Sequence, residues 1–541
     1  MEYRKYSSRK YNNIRELVDV RAETVPDKAM FSFMADKRRS VRTVSSEMFR
    51  EQTEQFGTWL FENGFRNSGI VILGESSYEW ILTFFSVVGG NNIAVPLDKD
   101  LSAESLCELI LDSGSKAVVY SETYSDIAEK LREMLDIAFI SMKDIPDILE
   151  NGRKMLESGK RDYAEHTVDA EKTALIVYTS GTTGKSKGVE LTHNSIISDV
   201  NSIQEVADLS GNGVLVLPLH HSYGITASLL LPLAYMDSLF ITGSLRYFMG
   251  DIKYFKPEVE FLVPLFVETI YKSLIKYAES IGKSEKLSAI LNGPEASDDE
   301  NELADRRKKA EDILELLGGK LRIIISGGAP IVPEYLNGLK KLGIIVLNGY
   351  GITECSPIVA CNPNHLTKAG SVGRIVDACQ VRIDNPDENG EGEVCVKGSI
   401  VMAGYHNMED ETRKAIRDDW FHTGDLGRVD EDNYLYITGR IKNLIITANG
   451  ENISPEEIEM NLNGISYVKE VVVYDSNNSL CAEIYPENPD NIPESELKKL
   501  IFDEIRKINA KMPPYKCISN IVLRDSEFPK TTSKKIIRRY K

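Results

Sequence analysis

The segment Tyr178-Thr179-Ser180-Gly181-Thr182-Thr183-Gly184-Lys185-Ser186-Lys187-Gly188 decides how this 541-residue chain is read. It follows an apolar, β-branched run, Ala174-Leu175-Ile176-Val177, and precedes a helical pattern that begins near His193-Asn194. Hydroxyl side chains, three glycines and two lysines fall within eleven residues. Glycines let backbone N–H groups approach oxygen atoms, hydroxyls donate hydrogen bonds and lysines offset negative charge, so the composition is that of a phosphate cradle. It is not a Walker A loop, which needs glycine where Thr179 stands. Taken alone, the segment is also compatible with a plain Ser/Gly surface loop.

Outward from this loop, segments 116–120, 174–178, 321–325 and 344–347 are short, apolar and closed by Ser, Thr, Gly or Asn, and they predict buried strands. Helical patterns such as 254–280 and 303–318 lie between them and predict βα units around a largely parallel sheet, an α/β fold. From about 370 to 440 the texture changes to short strands with the turns Asp387-Glu388-Asn389-Gly390 and Asp430-Glu431-Asp432-Asn433, which predicts a smaller antiparallel subdomain. The last hundred residues predict a compact α+β unit: helix 454–463, strands near 468–475 and 480–486, helix 494–510 and a strand near 519–524. The length itself requires at least two packing units.

The formal net charge of −18 argues against a nucleic-acid-binding surface and weakens docking to anionic lipid. A local basic patch, Lys534-Lys535-Ile536-Ile537-Arg538-Arg539, is the exception. Seven scattered cysteines show no Cys-x-x-Cys pair, and Cys355 and Cys361 have no partners at metal-ligand spacing. They are expected to be free thiols in a reducing compartment. The N-terminus lacks the apolar core of a signal peptide, and no window reaches the roughly 18 apolar residues of a membrane span. The expectation is a soluble cytoplasmic protein that touches membranes transiently at most.

The phosphate-loop segment resembles the signature of the acyl-adenylate-forming superfamily, and further motifs follow in that family's order. His220-His221-Ser222-Tyr223-Gly224 is similar to the aromatic/His segment beside the acyl pocket. Ser326-Gly327-Gly328-Ala329-Pro330 resembles the adenine-edge loop, and Asn348-Gly349-Tyr350-Gly351-Ile352-Thr353-Glu354 the motif whose Tyr stacks on adenine and whose Glu helps hold Mg²⁺. His422-Thr423-Gly424-Asp425 resembles the ribose-binding segment, Gly439-Arg440-Ile441-Lys442-Asn443 the interdomain hinge, and Pro529–Arg538 the catalytic-lysine motif.

The resemblance implies a large unit over 1–438, a hinge over 439–443 and a small mobile lid over 444–541. It implies Lys535, Glu354 and Thr353 as catalytic residues, with Glu354 on Mg²⁺. Nucleotide contacts are implied for Thr179, Ser180, Gly181, Thr182, Thr183, Gly184, Lys187, Gly328, Ala329, Gly349, Tyr350, Gly351, Asp425 and Arg440. Lys442 is the hinge residue; His220, Tyr223, Gly450 and Glu451 are assigned to the acyl and thiol pocket. Of the two histidines, one is expected to line the site and the other to be a core residue, while Cys355 is read as packing. Lys534 stands where the family has Gly, and Lys442-Asn443 replaces the more usual Lys-Asp or Asp-Asp. Ser454-Pro455-Glu456-Glu457 is expected to open a helix, with Ser454 as its cap.

The implied chemistry is activation of a carboxylic acid by ATP, as an acyl-adenylate, followed by transfer to the thiol of CoA. Two anions must meet, and two unit charges about 4 Å apart near a protein surface already repel by about 4 kcal/mol. Mg²⁺, the hydroxyl-rich loop and a lysine would offset that repulsion. Val263–Tyr271 and Gly351–Pro357 resemble segments of long-chain fatty acyl-CoA synthetases. A medium- or long-chain fatty acid is therefore the expected substrate. An aryl- or branched-acid CoA ligase and an acyl-AMP ligase loading a separate acyl carrier protein stay open as alternatives. A silent ATP- or acyl-binding protein would have lost Glu354, Asp425 or the motif lysine, and none is lost.

Overall fold

The computed structural model describes residues 5–35, 38, 40–179, 186–446, 452–476, 479–488, 491–530 and 536–538. The apolar runs form two large sheets. In the first, the strands Gly69–Leu73, Ile93–Leu97, Ala117–Tyr120, Ala138–Ser141 and Thr173–Thr179 run parallel. Their β-branched and aliphatic side chains are buried, as expected for a sheet covered on both faces. Lys187–Thr192 then pairs antiparallel with Thr173–Thr179, and the two-residue strand Gly404–Tyr405 pairs with Lys187–Thr192 at the sheet edge.

The second sheet has ten strands and changes sense midway. Val259–Leu262, Ile323–Ser326 and Ile345–Gly351 are parallel; Ile358–Cys361, Gly373–Ile375, Tyr434–Arg440, Trp420–Val429, Gly392–Gly398 and Cys379–Asp384 continue it antiparallel. The antiparallel texture predicted over 370–440 is thus the continuation of the parallel sheet. Tyr350 and Gly351 lie where the sense changes. A separate three-stranded sheet of Val468–Asp475, Leu480–Pro486 and Ile518–Leu523 belongs to the small C-terminal domain. Its core is separate: Ile458 and Leu462 from helix Pro455–Leu462 meet Ile501 and Ile505 from helix Glu494–Asn509 over Val471, Val473 and Ile484.

Two local expectations are corrected. The helix predicted over 254–280 is interrupted: Phe248–Phe255 stops at Lys256, which takes φ 53° before Pro257, and Val259–Leu262 is a strand before helix Pro264–Ser280. A residue preceding proline is driven out of the α region, so the break is local. Glu260 imitated a polar helix position, but it is 1% exposed and accepts a hydrogen bond from the Val214 amide at 2.7 Å. Second, the helix begins at His193 as expected, but an unpredicted strand, Lys187–Thr192, stands between it and the phosphate-loop segment. That segment joins two antiparallel strands, Thr173–Thr179 and Lys187–Thr192, and helix His193–Val206 starts only afterwards, behind a Thr192/Ser195 capping box.

Candidate active site

Thr179 and Lys187 face each other at the root of this hairpin. Ser180, Gly181, Thr182, Thr183 and Gly184 lie outside the described residues, as do Lys185, Gly450, Glu451, Lys534 and Lys535. Lys187 Nζ is 2.6 Å from Glu411 Oε2 and 4.7 Å from the centre of the Tyr405 ring. Hydrogen bonds from Lys187 and Lys414 hold the Glu411 carboxyl down at about 2. The strand pairing of Tyr405 with Val189 presents the other end of the same tyrosine to Glu354, whose Oε1 accepts its hydroxyl hydrogen bond at 2.8 Å.

Glu354 lies on a 3-10 turn, Thr353–Cys355, entered directly from strand Ile345–Gly351. A Cβ at Gly351 would meet the Pro357 carbonyl oxygen at 2.3 Å, so glycine is required for the chain to fold back here. Cys355 is fully buried, as its packing role requires. Thr353 Oγ1 accepts from Ser222 Oγ at 3.2 Å, tying this turn to the His220–Gly224 segment. Desolvation raises the Glu354 carboxyl above the usual range, opposed first by Tyr405 and more remotely by Arg440 and Lys187. Among the described residues no side chain other than Tyr405 donates to this carboxylate.

On the other side of the turn, Asp425 is 3% exposed and charge-satisfied. Arg440 Nε is 2.6 Å from its Oδ1, and the Tyr350 hydroxyl donates to its Oδ2 at 2.6 Å. Asp425 and Arg440 are direct partners across the Trp420–Val429 and Tyr434–Arg440 strands. Burial and the adjacent Asp425 both push the Tyr350 phenol upward, so it stays a donor. A carboxylate has about four lone-pair sites, so two remain for further donors.

Gly328 adopts φ +87° in the loop after strand Ile323–Ser326, a conformation glycine supplies without steric cost, and Ala329 beside it is exposed. Tyr223 braces this loop: its hydroxyl reaches the carbonyls of Leu262 (3.3 Å) and Ile325 (3.2 Å), and its ring lies against Gly327. His220 lies against His221, ring centres 4.2 Å apart, with Nε2 3.8 Å from Asp98 Oδ2; burial lowers its pKa. Gly349 shares the Ile345–Gly351 strand with Tyr350. Lys442 follows Arg440 on the turn Ile441–Asn443, its ammonium lowered by desolvation and by Arg440. Ser454 departs from its expected capping role. Its hydroxyl donates to the Thr438 carbonyl at 2.7 Å instead of receiving a helix amide, so it fastens the small domain to the strand leading into the turn.

The structure thus brings Tyr350, Asp425, Arg440, Thr353, Glu354 and Lys187 around one stretch of backbone. It adds Tyr405, Glu411 and Asp98, which no sequence signal had singled out. Tyr405 sits on a strand of two residues, too short to produce a period.

Comparison with known proteins agrees with this arrangement. Residues 18–406 match the AMP-binding enzyme family, and residues 442–540 match the AMP-binding enzyme C-terminal domain. A long-chain-fatty-acid–CoA ligase of Mycobacterium bovis is 30% identical over 436 residues, 75% of this chain and 70% of that one. Long-chain-fatty-acid–CoA ligase 5 of Mus musculus is 26% identical over 538 residues, 89% of this chain and 76% of that one. The fold matches a Mycobacterium tuberculosis fatty acyl CoA synthetase (TM-score 0.67, 22% identity, 97% of both chains). It also matches an anthranilate CoA ligase in complex with anthranoyl-AMP (TM-score 0.77, 20% identity, 97% of this chain and 96% of that one). With the family's profile covering most of its length and its C-terminal domain following in order, this chain belongs to the AMP-binding enzyme family.

Proposed function

We propose that this enzyme is an ATP-dependent carboxylic acid:CoA ligase acting on a medium- or long-chain fatty acid. The observation that carries the reading is the pairing of a charge-satisfied Asp425, held by Tyr350 and Arg440, with a cation-demanding Glu354 nearby. The first is suited to neutral hydroxyl donors such as those of a ribose, the second to a hard divalent ion. The ligase relatives named above support a fatty acid as substrate.

In the first step the substrate carboxylate oxygen attacks the α-phosphorus of ATP, and the bond to the bridging oxygen breaks to release pyrophosphate. In the second, the CoA thiol attacks the acyl carbon, loses its proton and expels AMP. Tyr350 positions the adenine, while Asp425 orients the ribose through its remaining lone pairs. Backbone and hydroxyl groups of 179–184, with Lys187, bind the phosphates. Gly328, Ala329, Gly349 and Gly351 let backbone approach the nucleotide closely. Glu354, with Thr353 beside it, fits Mg²⁺: among the described residues its carboxylate takes a side-chain hydrogen bond from the Tyr405 phenol and from no other side chain. When bound there, the ion supplies charge neutralisation on the phosphate oxygens. Lys535 would deliver positive charge to the carboxylate and α-phosphate in the first step only, where charge develops. We divide the chain at residues 439–443, with Lys442 as pivot, into the large unit 1–438 and the lid 444–541. We assign the lid's Gly450 and Glu451 to the thiol path, and His220 and Tyr223 to the acyl side. All seven cysteines are unpaired, which supports a reducing cytoplasm as its place of work. No helix among the described residues is long and apolar enough to cross a membrane.

The test is pyrophosphate release by purified protein with Mg-ATP and a panel of acids, with and without CoA, beside Lys535→Ala. The expected outcome is acid-dependent release that turns over only with CoA, is fastest with fatty acids and collapses in the variant. A single slow turnover unaffected by CoA would redirect the acceptor to a carrier protein. Absence of release with every acid would refute adenylation.

A further inference from the structure

A second chemical cluster lies in the antiparallel half of the ten-stranded sheet. Strands Cys379–Asp384, Gly392–Gly398 and Trp420–Val429 are neighbours, with Asp384 opposite Glu393 and Cys395 opposite His422. Residues two apart on a strand share a face, so Glu393 and Cys395 point the same way and their cross-strand partners join them. One carboxylate oxygen each from Asp384 and Glu393, the Cys395 sulfur and a His422 ring nitrogen lie within 4.8 Å of one another. His422 Nδ1 stands between the other groups, 2.8 Å from Glu393 Oε2 and 3.3 Å from Cys395 Sγ.

The surroundings distinguish this cluster from an ordinary solvated surface. Cys395 is fully buried, and the side chains of His422 and Glu393 are 8% and 18% exposed. Two carboxylates face each other across a strand pair, an arrangement that is unfavourable without a cation. Arg417 and Arg382 form ion pairs with Glu393 and Asp384 at 3.8 Å and Arg382 also reaches the Cys395 sulfur, so these guanidiniums offset part of the charge from outside the set of four donors.

We propose that Asp384, Glu393, Cys395 and His422 form a binding site for a divalent transition metal of the zinc class. A mixed sulfur, nitrogen and oxygen set suits a borderline-soft ion, whereas Mg²⁺ and Ca²⁺ take oxygen ligands only. Ligand bonds of about 2.0–2.3 Å in a tetrahedron place donors roughly 3.3–3.8 Å apart, so on binding the widest separations close by about 1 Å while His422 and Glu393 move slightly apart. The proton balance is simple. The Cys395 thiol, pushed up to about 11 by burial in the metal-free state, releases its proton to solvent. Neutral His422 binds through Nδ1 and carries its proton on Nε2, exchanging its bond with Glu393 for the metal. The other Glu393 oxygen, Oε1, accepts from the Gly424 amide at 3.1 Å, one residue before Asp425. The site therefore clamps the strand carrying the proposed ribose carboxylate, but it stands independently of the reaction assigned above.

The test is titration of full-length, metal-stripped protein with Co²⁺ alone, followed by Zn²⁺. One equivalent of Co²⁺ is expected to give tetrahedral visible bands with a thiolate-to-metal charge-transfer band, all erased by stoichiometric Zn²⁺. Cys395→Ser should lose the charge-transfer band while its circular dichroism matches the parent. Should Cys395→Ser fail to fold, Asp384→Asn at the half-exposed strand end supplies the reading, with affinity expected to fall at least about tenfold. A charge-transfer band that survives Cys395→Ser, an unchanged affinity in Asp384→Asn, or no tetrahedral spectrum at one equivalent would each overturn the proposal.

Discussion

Two carboxylates frame the candidate active site, and their surroundings are opposite. Asp425 is held by a guanidinium and a phenol, both at 2.6 Å, at the last rung of an antiparallel ladder. Glu354 has one phenol at 2.8 Å, and desolvation raises its pKa. The difference separates two jobs that one residue type performs. A carboxylate whose charge is already matched recognises neutral hydroxyls by geometry, whereas one whose charge is unmatched retains affinity for a cation.

That contrast can be broken most severely at Glu354. Glu354→Gln keeps the shape and the Tyr405 contact but removes the charge, and the pyrophosphate-release rate should fall by about 100-fold or more. A loss below tenfold would place the ion elsewhere. Asp425→Asn should act on binding: the KM for ATP is expected to rise about 10- to 100-fold, the worth of one or two hydrogen bonds to a charged group, with kcat little changed. A matching fall in kcat would mean that Asp425 contributes to the transition state and not to recognition alone. Tyr405→Phe gives the smallest effect and the sharpest distinction. The Mg²⁺ concentration for half-maximal rate should rise about tenfold while the KM for ATP at saturating Mg²⁺ stays constant. If instead the KM for ATP rises at saturating Mg²⁺, the role of Tyr405 lies with Lys187 and the phosphates.

Legibility in the sequence followed the range of each signal. Strands 116–120, 174–178, 321–325 and 344–347 were readable because each is a continuous apolar run, and the small domain because its periods change cleanly between turns. Gly349–Glu354 and His422–Asp425 stood out as motifs because each is a run of consecutive residues, and the structure brings Tyr350 and Asp425 from the two runs together. The strand Val259–Leu262 was lost because Glu260, a buried carboxylate bonded to the Val214 amide, broke its apolar pattern. Tyr405 was lost because its meaning depends on partners 51 residues away at Glu354 and much further back at Lys187. The Asp384–Glu393–Cys395–His422 cluster was invisible to cysteine spacing for the same reason: strand register assembles it, with no local repeat to mark it.

The rung joining Asp425 to Arg440 has a mechanical consequence. Arg440 is the last residue of its strand, the turn Ile441–Asn443 follows at once, and Ser454 of the small domain is fastened two residues upstream at Thr438. A ribose that bonds to the free lone pairs of Asp425 would share that carboxylate with Arg440, whose backbone runs directly into the turn. On the proposed reading, nucleotide occupancy would reach the turn Ile441–Asn443 through one cross-strand pair. No long relay is then required: Asp425 bonds Arg440 across the ladder, and Arg440 directly precedes the turn.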